Sequence, residues 1–257
     1  HAMPRQGGLN AGQMLSQPMK ALLLLNVEPT LDAADAAAAR AALEGSGLVV
    51  ALTPFKDAQV ENADVLLPIA PFTETSGTFV NAEGRVQSFH GVTKPLGDAR
   101  PAWKVLRVLG NLLGLEGFNH ETSEEVRAEA LGDLATVASR LNNEAAALGV
   151  VQAAPQGGLE RLADVPIYSS DAIVRRATSL QLTADARPPV ASLPSALWQT
   201  LGLQAGDLVR VSQGSASALL PAVEEPTLAA NTVRVPAGHA HTATLGAMFG
   251  ALTIEKA

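Results

Sequence analysis

Residues 21–68 read ALLLLNVEPTLDAADAAAARAALEGSGLVVALTPFKDAQVENADVLLP, and the order of apolar runs in this stretch decides the fold. Ala21–Val27 is a short, nearly unbroken apolar run, the pattern of a parallel strand covered on both faces, and Pro29 breaks it. Asp32 stands where it can cap a helix over Ala33–Leu43, with Asp35 adding negative charge to the first turn and Gly45 as the stop. Leu48–Leu52 predicts a second buried strand ended by Thr53-Pro54. Asp64–Pro68 predicts a third, its proline at the end where a missing N–H does least harm. Strand, helix and strand at this spacing form the βαβ arrangement of a doubly wound α/β lobe.

Outward from this core, Thr78–Val80 and Arg85–Phe89 flank Asn81-Ala82-Glu83-Gly84, a tight hairpin turn with glycine where φ is positive. Pro101 opens a helix with Val105, Leu106, Leu109, Leu112 and Leu113 at helical spacing. Thr122-x-x-Glu125 reads as a capping box for another, with a stripe through Val126, Ala130, Leu134, Val137 and Leu141. The stretch 152–158, QAAPQGG, has a linker's composition. Beyond it, Ser195–Leu201 predicts a small helix, and Asp207–Val211, Ala218–Val223, Thr232–Val235 and Leu252–Glu255 predict short strands between glycine-containing turns. That is the pattern of a small β-barrel. Two domains follow, an α/β lobe with a helical extension over 1–157 and a barrel over 158–257.

Composition narrows the chemistry. Among 257 residues 47% are apolar, enough for a buried core, yet only nine are aromatic, so leucine, valine and alanine must fill it. Cysteine is absent, which excludes disulfides, thiolate zinc sites, a cysteine nucleophile and Cys-ligated iron–sulfur clusters held by this chain alone. A net charge of −7 argues against nucleic acid or an anionic membrane as partner, and no apolar run is long enough to span a bilayer. His1-Ala2-Met3 is no signal peptide and reads as a cloning remnant ahead of a truncated chain.

Of the histidines, His90 and His120 stand alone and His239-Ala240-His241 supplies two imidazoles where a closed zinc site needs four ligands, so no metal site is expected. No Gly-x-Ser-x-Gly elbow, Walker loop or Gly-x-Gly-x-x-Gly turn follows a predicted strand, and no catalytic residue is assigned. Glu124-Glu125 and Glu224-Glu225 read as solvated carboxylates. One segment differs. After the third strand, Thr73–Arg85 gathers Glu, Thr, Ser, Asn and Arg at the carboxyl end of a strand, where open α/β sheets bind ligands. Spacing alone leaves two readings open: polar groups satisfying one another in an ordered loop, or a binding site with Arg85 clamping an anion.

That segment, Ala63–Pro68 and Glu74–Gln87, resembles the signature of the molybdopterin oxidoreductase superfamily. Gly97-Asp98-Ala99-Arg100-Pro101-Ala102-Trp103 is similar to the motif that follows it there, and Leu201–Val211 to the start of a pterin-dinucleotide-binding barrel. Within the superfamily, Pro68–Asn81, Asn10–Leu15 and Asn26–Pro29 resemble the large peripheral-arm subunit of bacterial NADH–quinone oxidoreductases, respiratory complex I. The resemblance implies a double-psi type of barrel and a structural role without redox centres. It implies iron–sulfur clusters on an N-terminal region absent from this chain, and no molybdenum or bound molybdopterin. Thr78, Asn81, Glu83, Gly84 and Arg85 would line a vestigial pterin cleft. Partners would be the other peripheral-arm subunits and the N-terminal region of the same subunit, on the cytoplasmic side of the bacterial inner membrane, without membrane insertion. The rival implication is a cofactor-binding fragment of an active molybdopterin-dependent oxidoreductase.

Overall fold

A computed structural model describes residues 8–57, 62–141 and 157–257. The chain divides into two compact units. One comprises His1–Leu9, Leu23–Asn26 and Leu48–Gln152, the other Asn10–Leu22, Val27–Gly47 and Ala153–Ala257. Segments 10–22 and 27–47, which composition alone puts with residues 1–157, thus group with the barrel residues. Most of the expected linker lies outside the described residues.

A three-stranded sheet has the order β1 (Leu22–Leu25), β2 (Val49–Thr53), β3 (Val65–Pro68). β2 and β3 run parallel with Val50 opposite Val65 and Thr53 opposite Pro68, and the Asn26 N–H donates to the Leu52 carbonyl at 2.9 Å. β2 is central, and Val49, Ala51 and Leu52 are buried as its unbroken apolar run requires. β1 departs from the expectation of two covered faces. Leu22 is buried but Leu23 and Leu25 are 48% and 43% exposed, because side chains alternate across a strand and only one face is covered.

Beyond β3, Ile69 bridges Arg100, and the Ala70 N–H donates to the Arg100 carbonyl at 2.9 Å. This pins the Gly97–Trp103 motif against the strand end. β4 (Gly77–Val80) and β5 (Val86–Phe89) form the expected antiparallel hairpin. Gly77 is opposite Phe89, whose ring would lie 2.5 Å from a β-carbon added there. The missing side chain lets that ring stack on Phe79 with centroids 5.5 Å apart.

The remaining helices follow local rules with two corrections. α1 (Ala11–Leu15) is capped by Asn10. Pro29 starts a one-turn helix, α2 (Pro29–Asp32), and α3 (Ala36–Gly45) is capped by Asp35, not Asp32: the Asp35 carboxylate accepts the Ala38 N–H at 2.9 Å. Asp32 instead accepts the Glu28 N–H at 2.6 Å, which turns it away from a cap. α4 (Ala102–Leu112) begins after Pro101 as expected. In α5 (Ser123–Leu131), Thr122 caps by accepting the Glu125 N–H at 3.2 Å. The expected stripe through Leu141 is cut at Gly132, whose φ of 64° leaves the helix, and two single 3-10 turns at Leu134–Thr136 and Ala138–Arg140 follow. No described helix is long and apolar enough to cross a membrane.

In the second unit, α6 (Ala172–Arg176), α7 (Thr178–Gln181) and α8 (Ser195–Thr200) accompany a closed six-stranded barrel. Its strands are β6 (Leu159–Leu162), β7 (Ala191–Leu193), β8 (Leu208–Gln213), β9 (Ala216–Glu224), β10 (Thr232–Arg234) and β11 (Phe249–Lys256), in the spatial order β10-β6-β11-β8-β9-β7. β6–β10 and β7–β9 pair in parallel, and the other four pairings are antiparallel. Along β9, Ala218, Leu220 and Ala222 point inward in strict alternation. Pro221 sits where β9 ends its pairing with β8 and begins pairing with β7, at a break in the ladder that tolerates a missing N–H. Leu193, Val209, Val211, Leu220, Val233, Val235 and Leu245 fill the interior, so aliphatic packing does what the scarcity of rings demanded.

Candidate functional site

The hairpin carries all five candidate residues, Thr78 on β4 and the other four at the turn, but gives them separate tasks. The Asn81 side-chain carbonyl accepts the N–H groups of Glu83 and Arg85 at 3.0 and 2.9 Å, an Asx turn built into the hairpin tip. Gly84 has φ of 78°, and a β-carbon there would lie 2.7 Å from the Ala138 α-carbon. Glu83 and Arg85 are exposed on the same tip. Gly84→Ala is therefore expected to cost about 2 kcal/mol, from the left-handed backbone and the close approach together. A urea midpoint equal to that of the parent chain would refute this.

Thr78 lines a concave surface. Its hydroxyl lies 3.0 Å from the Ser88 hydroxyl, which accepts a hydrogen bond from Arg127 Nη1 at 2.7 Å. Thr78, Ser76, Ser123 and Arg127 line a cavity of about 300 Å³ floored by Trp103 and Val126. Arg127 and Ser88 escape sequence reading, since 39 residues separate them and Arg127 sits in an otherwise acidic helix. A pterin nucleotide needs several donors converging on its phosphates. The N–H groups of Glu83 and Arg85 are spent on Asn81 Oδ1 and that of Gly84 on the Asn81 carbonyl, which leaves the side chains of Thr78, Asn81 and Arg85 as the donors the hairpin could offer.

The histidines are dispersed. His90 Nδ1 lies 3.5 Å from the Ser76 hydroxyl, and His120 pairs with Glu129 at 2.6 Å. His239 and His241 meet edge to face at 4.9 Å. The His241 N–H donates to His239 Nδ1 at 3.1 Å, so the neutral His239 ring carries its proton on Nε2. Burial first, and His241 second, hold His239 below its ordinary value of 6.5. The unfolded chain therefore binds this proton more readily than the folded one. The contribution to stability is complete above the ordinary histidine range and is lost as pH falls through the lowered folded value. Stability measured from about pH 7.5 to about pH 5 should decline more steeply in the parent chain than in His239→Gln, and equal slopes would disprove it. Among the described residues no three His, Asp or Glu side chains come together as a metal site.

The second unit holds two buried ionic centres. Glu28, 3% exposed, accepts from Arg175 Nη2 at 2.8 Å and from Arg176 Nη2 at 2.6 Å, and Asp32 accepts from Arg175 at 2.8 Å. Arg161, equally buried on β6, donates to the carbonyls of Val235, Pro236, Gly246 and Ala247 and to the Gln213 side chain, all at 3.1–3.3 Å. Burial lowers the Arg161 pKa, opposed by the charge of Asp35. Both centres brace the second unit.

Comparison with known proteins places these features. A formate dehydrogenase-like protein of Staphylococcus aureus (strain bovine RF122) is 36% identical over 90 residues, covering 35% of this chain and 9% of the relative. The oxidoreductase YjgC of Bacillus subtilis is 31% identical over 132 residues, 50% of this chain and 13% of the relative. The aligned part of the chain thus spans about a tenth of the length of these curated relatives. The solved structure of acetylene hydratase from Pelobacter acetylenicus superposes with a TM-score of 0.60 at 18% identity, covering 93% of this chain and 44% of that one. That likeness concerns the fold, a mixed α/β architecture with a closed six-strand barrel. Residues 2–112 match the family model described as molybdopterin oxidoreductase.

Proposed function

We propose that this chain is the redox-centre-free part of the large peripheral-arm subunit of an NADH–quinone oxidoreductase, respiratory complex I. There it acts as scaffold beside the cluster-bearing region while electrons pass from NADH toward quinone elsewhere in the subunit. The observation that carries this reading is the absence of cysteine from all 257 residues, in a chain whose Pro68–Asn81 run resembles that subunit. Electron relay needs closely spaced centres, usually held by thiolates, and these residues offer none. The hairpin supports a scaffold role, because Asn81 and Gly84 are spent on turn geometry. Iron–sulfur clusters belong to the N-terminal region of the same subunit, and no molybdopterin is held here. The partners are that region and the other peripheral-arm subunits, on the cytoplasmic side of the bacterial inner membrane.

A second reading is favoured by the formate dehydrogenase-like relatives: a cofactor-binding piece of an active molybdopterin enzyme. Purifying the tagged full-length protein from its host separates the two. The scaffold reading expects co-purifying NADH-oxidising, quinone-reducing activity and no molybdenum by elemental analysis. One molybdenum per chain, with formate oxidation and no NADH–quinone activity, would replace it with the second.

A further inference from the structure

Helix α4 is amphipathic, yet much of its apolar face is open. Val108 is 55% exposed and Leu112 81%, and the apolar surface continues onto Leu113 and Leu115. Val105, Val108, Leu109 and Leu112 face Leu67 of β3 across a groove of about 520 Å³. Contiguous apolar surface of this kind marks an interaction site in a folded protein. The groove's remaining lining is cationic throughout, being Arg100, Lys104 and Arg107, with no carboxylate among the lining residues. In a chain of net charge −7, this is a local inversion of sign. Arg107 adds an unfinished contact. Its Nη2 pairs with Glu121 at 2.6 Å while its Nε is buried without a hydrogen-bond partner, the only such side-chain atom among the described residues.

We infer that this groove receives an amphipathic helix of a partner polypeptide, one that lays aliphatic residues against Leu67, Val108 and Leu112 and carries carboxylates along the border facing Arg100, Lys104 and Arg107. The proposal rests on the scaffold reading above and names the kind of partner that reading requires. From Lys104 to Leu112 the ridge is about 12 Å long, two turns of helix, which matches anchors spaced i, i+3 or i+4, and i+7 on an incoming helix. A second copy docked symmetrically would set one basic rim against another, which charge forbids. A bilayer is flat, whereas this surface is concave and walled by a strand end.

The test uses the tagged full-length protein in the assembly it forms in its host. Two variants are compared with the parent, Val108→Asp/Leu112→Asp and the milder surface change Lys104→Glu, whose exposed position leaves folding intact. Partner subunits recovered per tagged chain should fall about tenfold in the double variant and about threefold in Lys104→Glu, and the Lys104 effect should fade at high salt. Hydroxyl-radical labelling of Leu112 should be suppressed in the assembly and restored in the separated chain. Parent-level recovery in both variants overturns the inference. So do equal labelling of Leu112 in both states, shielding of Leu112 in the separated full-length chain or in a homodimer, and sedimentation with vesicles of anionic phospholipid that Lys104→Glu abolishes. If NADH–quinone activity fails to co-purify while Leu112 is shielded by another acidic polypeptide, the scaffold reading falls and the groove assignment stands. If the activity co-purifies and the variants have no effect, the reverse holds.

Discussion

Glu28→Ala is expected to destabilise the barrel-containing unit by about 3–5 kcal/mol, enough to abolish much of a typical domain's stability. Glu28 is buried and accepts three hydrogen bonds from two guanidinium groups, Nε and Nη2 of Arg175 and Nη2 of Arg176. Asp32 shares Arg175 with it, accepting from Nη2 at 2.8 Å. Truncating Glu28 removes three charge-assisted hydrogen bonds from guanidinium groups that are only 11% and 18% exposed. The loss comes from removing one partner of a buried ion pair, since an intact buried pair gains little over well-packed apolar side chains. Glu28→Gln keeps the shape and one acceptor, so it should fall between the parent and Glu28→Ala. Urea unfolding of the 257-residue chain checks this, and a change under about 1 kcal/mol for Glu28→Ala would show that water or rearrangement relieves the arginines.

Arg161→Met is expected to cost about 3 kcal/mol and to loosen the loop between β10 and β11. Arg161 sits inside the barrel wall with its fork spread over four backbone carbonyls and the Gln213 amide oxygen. Methionine recovers the desolvation of a buried charge but strips partners from the carbonyls of Val235, Pro236, Gly246 and Ala247, and unsatisfied buried acceptors cost about 1–3 kcal/mol each before relaxation. Arg161→Lys should rescue little. A single ammonium has three donors and no planar fork to span acceptors on both sides of the loop. Hydrogen exchange should quicken at the Val235 and Ala237 amides, which donate to the Leu162 and Asp164 carbonyls at 3.0 and 2.8 Å. Unchanged exchange there, with an unchanged midpoint, would mean the loop holds itself.

Much of the architecture is legible from local pattern. Apolar runs mark β1, β2 and β3, Pro101 marks the start of α4, and the turn chemistry of Asn81 and Gly84 marks the hairpin, each because the signal and the structure occupy the same few residues. Two barrel strands escape such reading. β7 is only three residues long, and β6 reads Leu-Glu-Arg-Leu with the arginine on the buried face, which inverts the hydrophobic alternation. The helix cap shows a subtler limit. Asp32 and Asp35 both suit the position by type, and Asp35 holds it because Asp32 is engaged with the Glu28 N–H and Arg175.

The candidate site was legible as a segment and not as a constellation. The run from Glu74 to Gln87 is identifiable by its residue types, whereas its partners on α5, Ser123 and Arg127, carry no local mark. Which polar groups are spent on turns and which face a cavity depends on packing between segments dozens of residues apart.

Sequence alone determined the strand–helix–strand order, an aliphatic barrel and a chain without thiolates, because periodicity and composition are properties of neighbouring residues. Tertiary structure alone decided that residues 27–47 belong with the barrel, that Glu28 is buried and that Arg161 points inward. Those outcomes rest on charges and carbonyls that meet across 147 and 86 residues of chain, and no local pattern encodes a contact made at that separation.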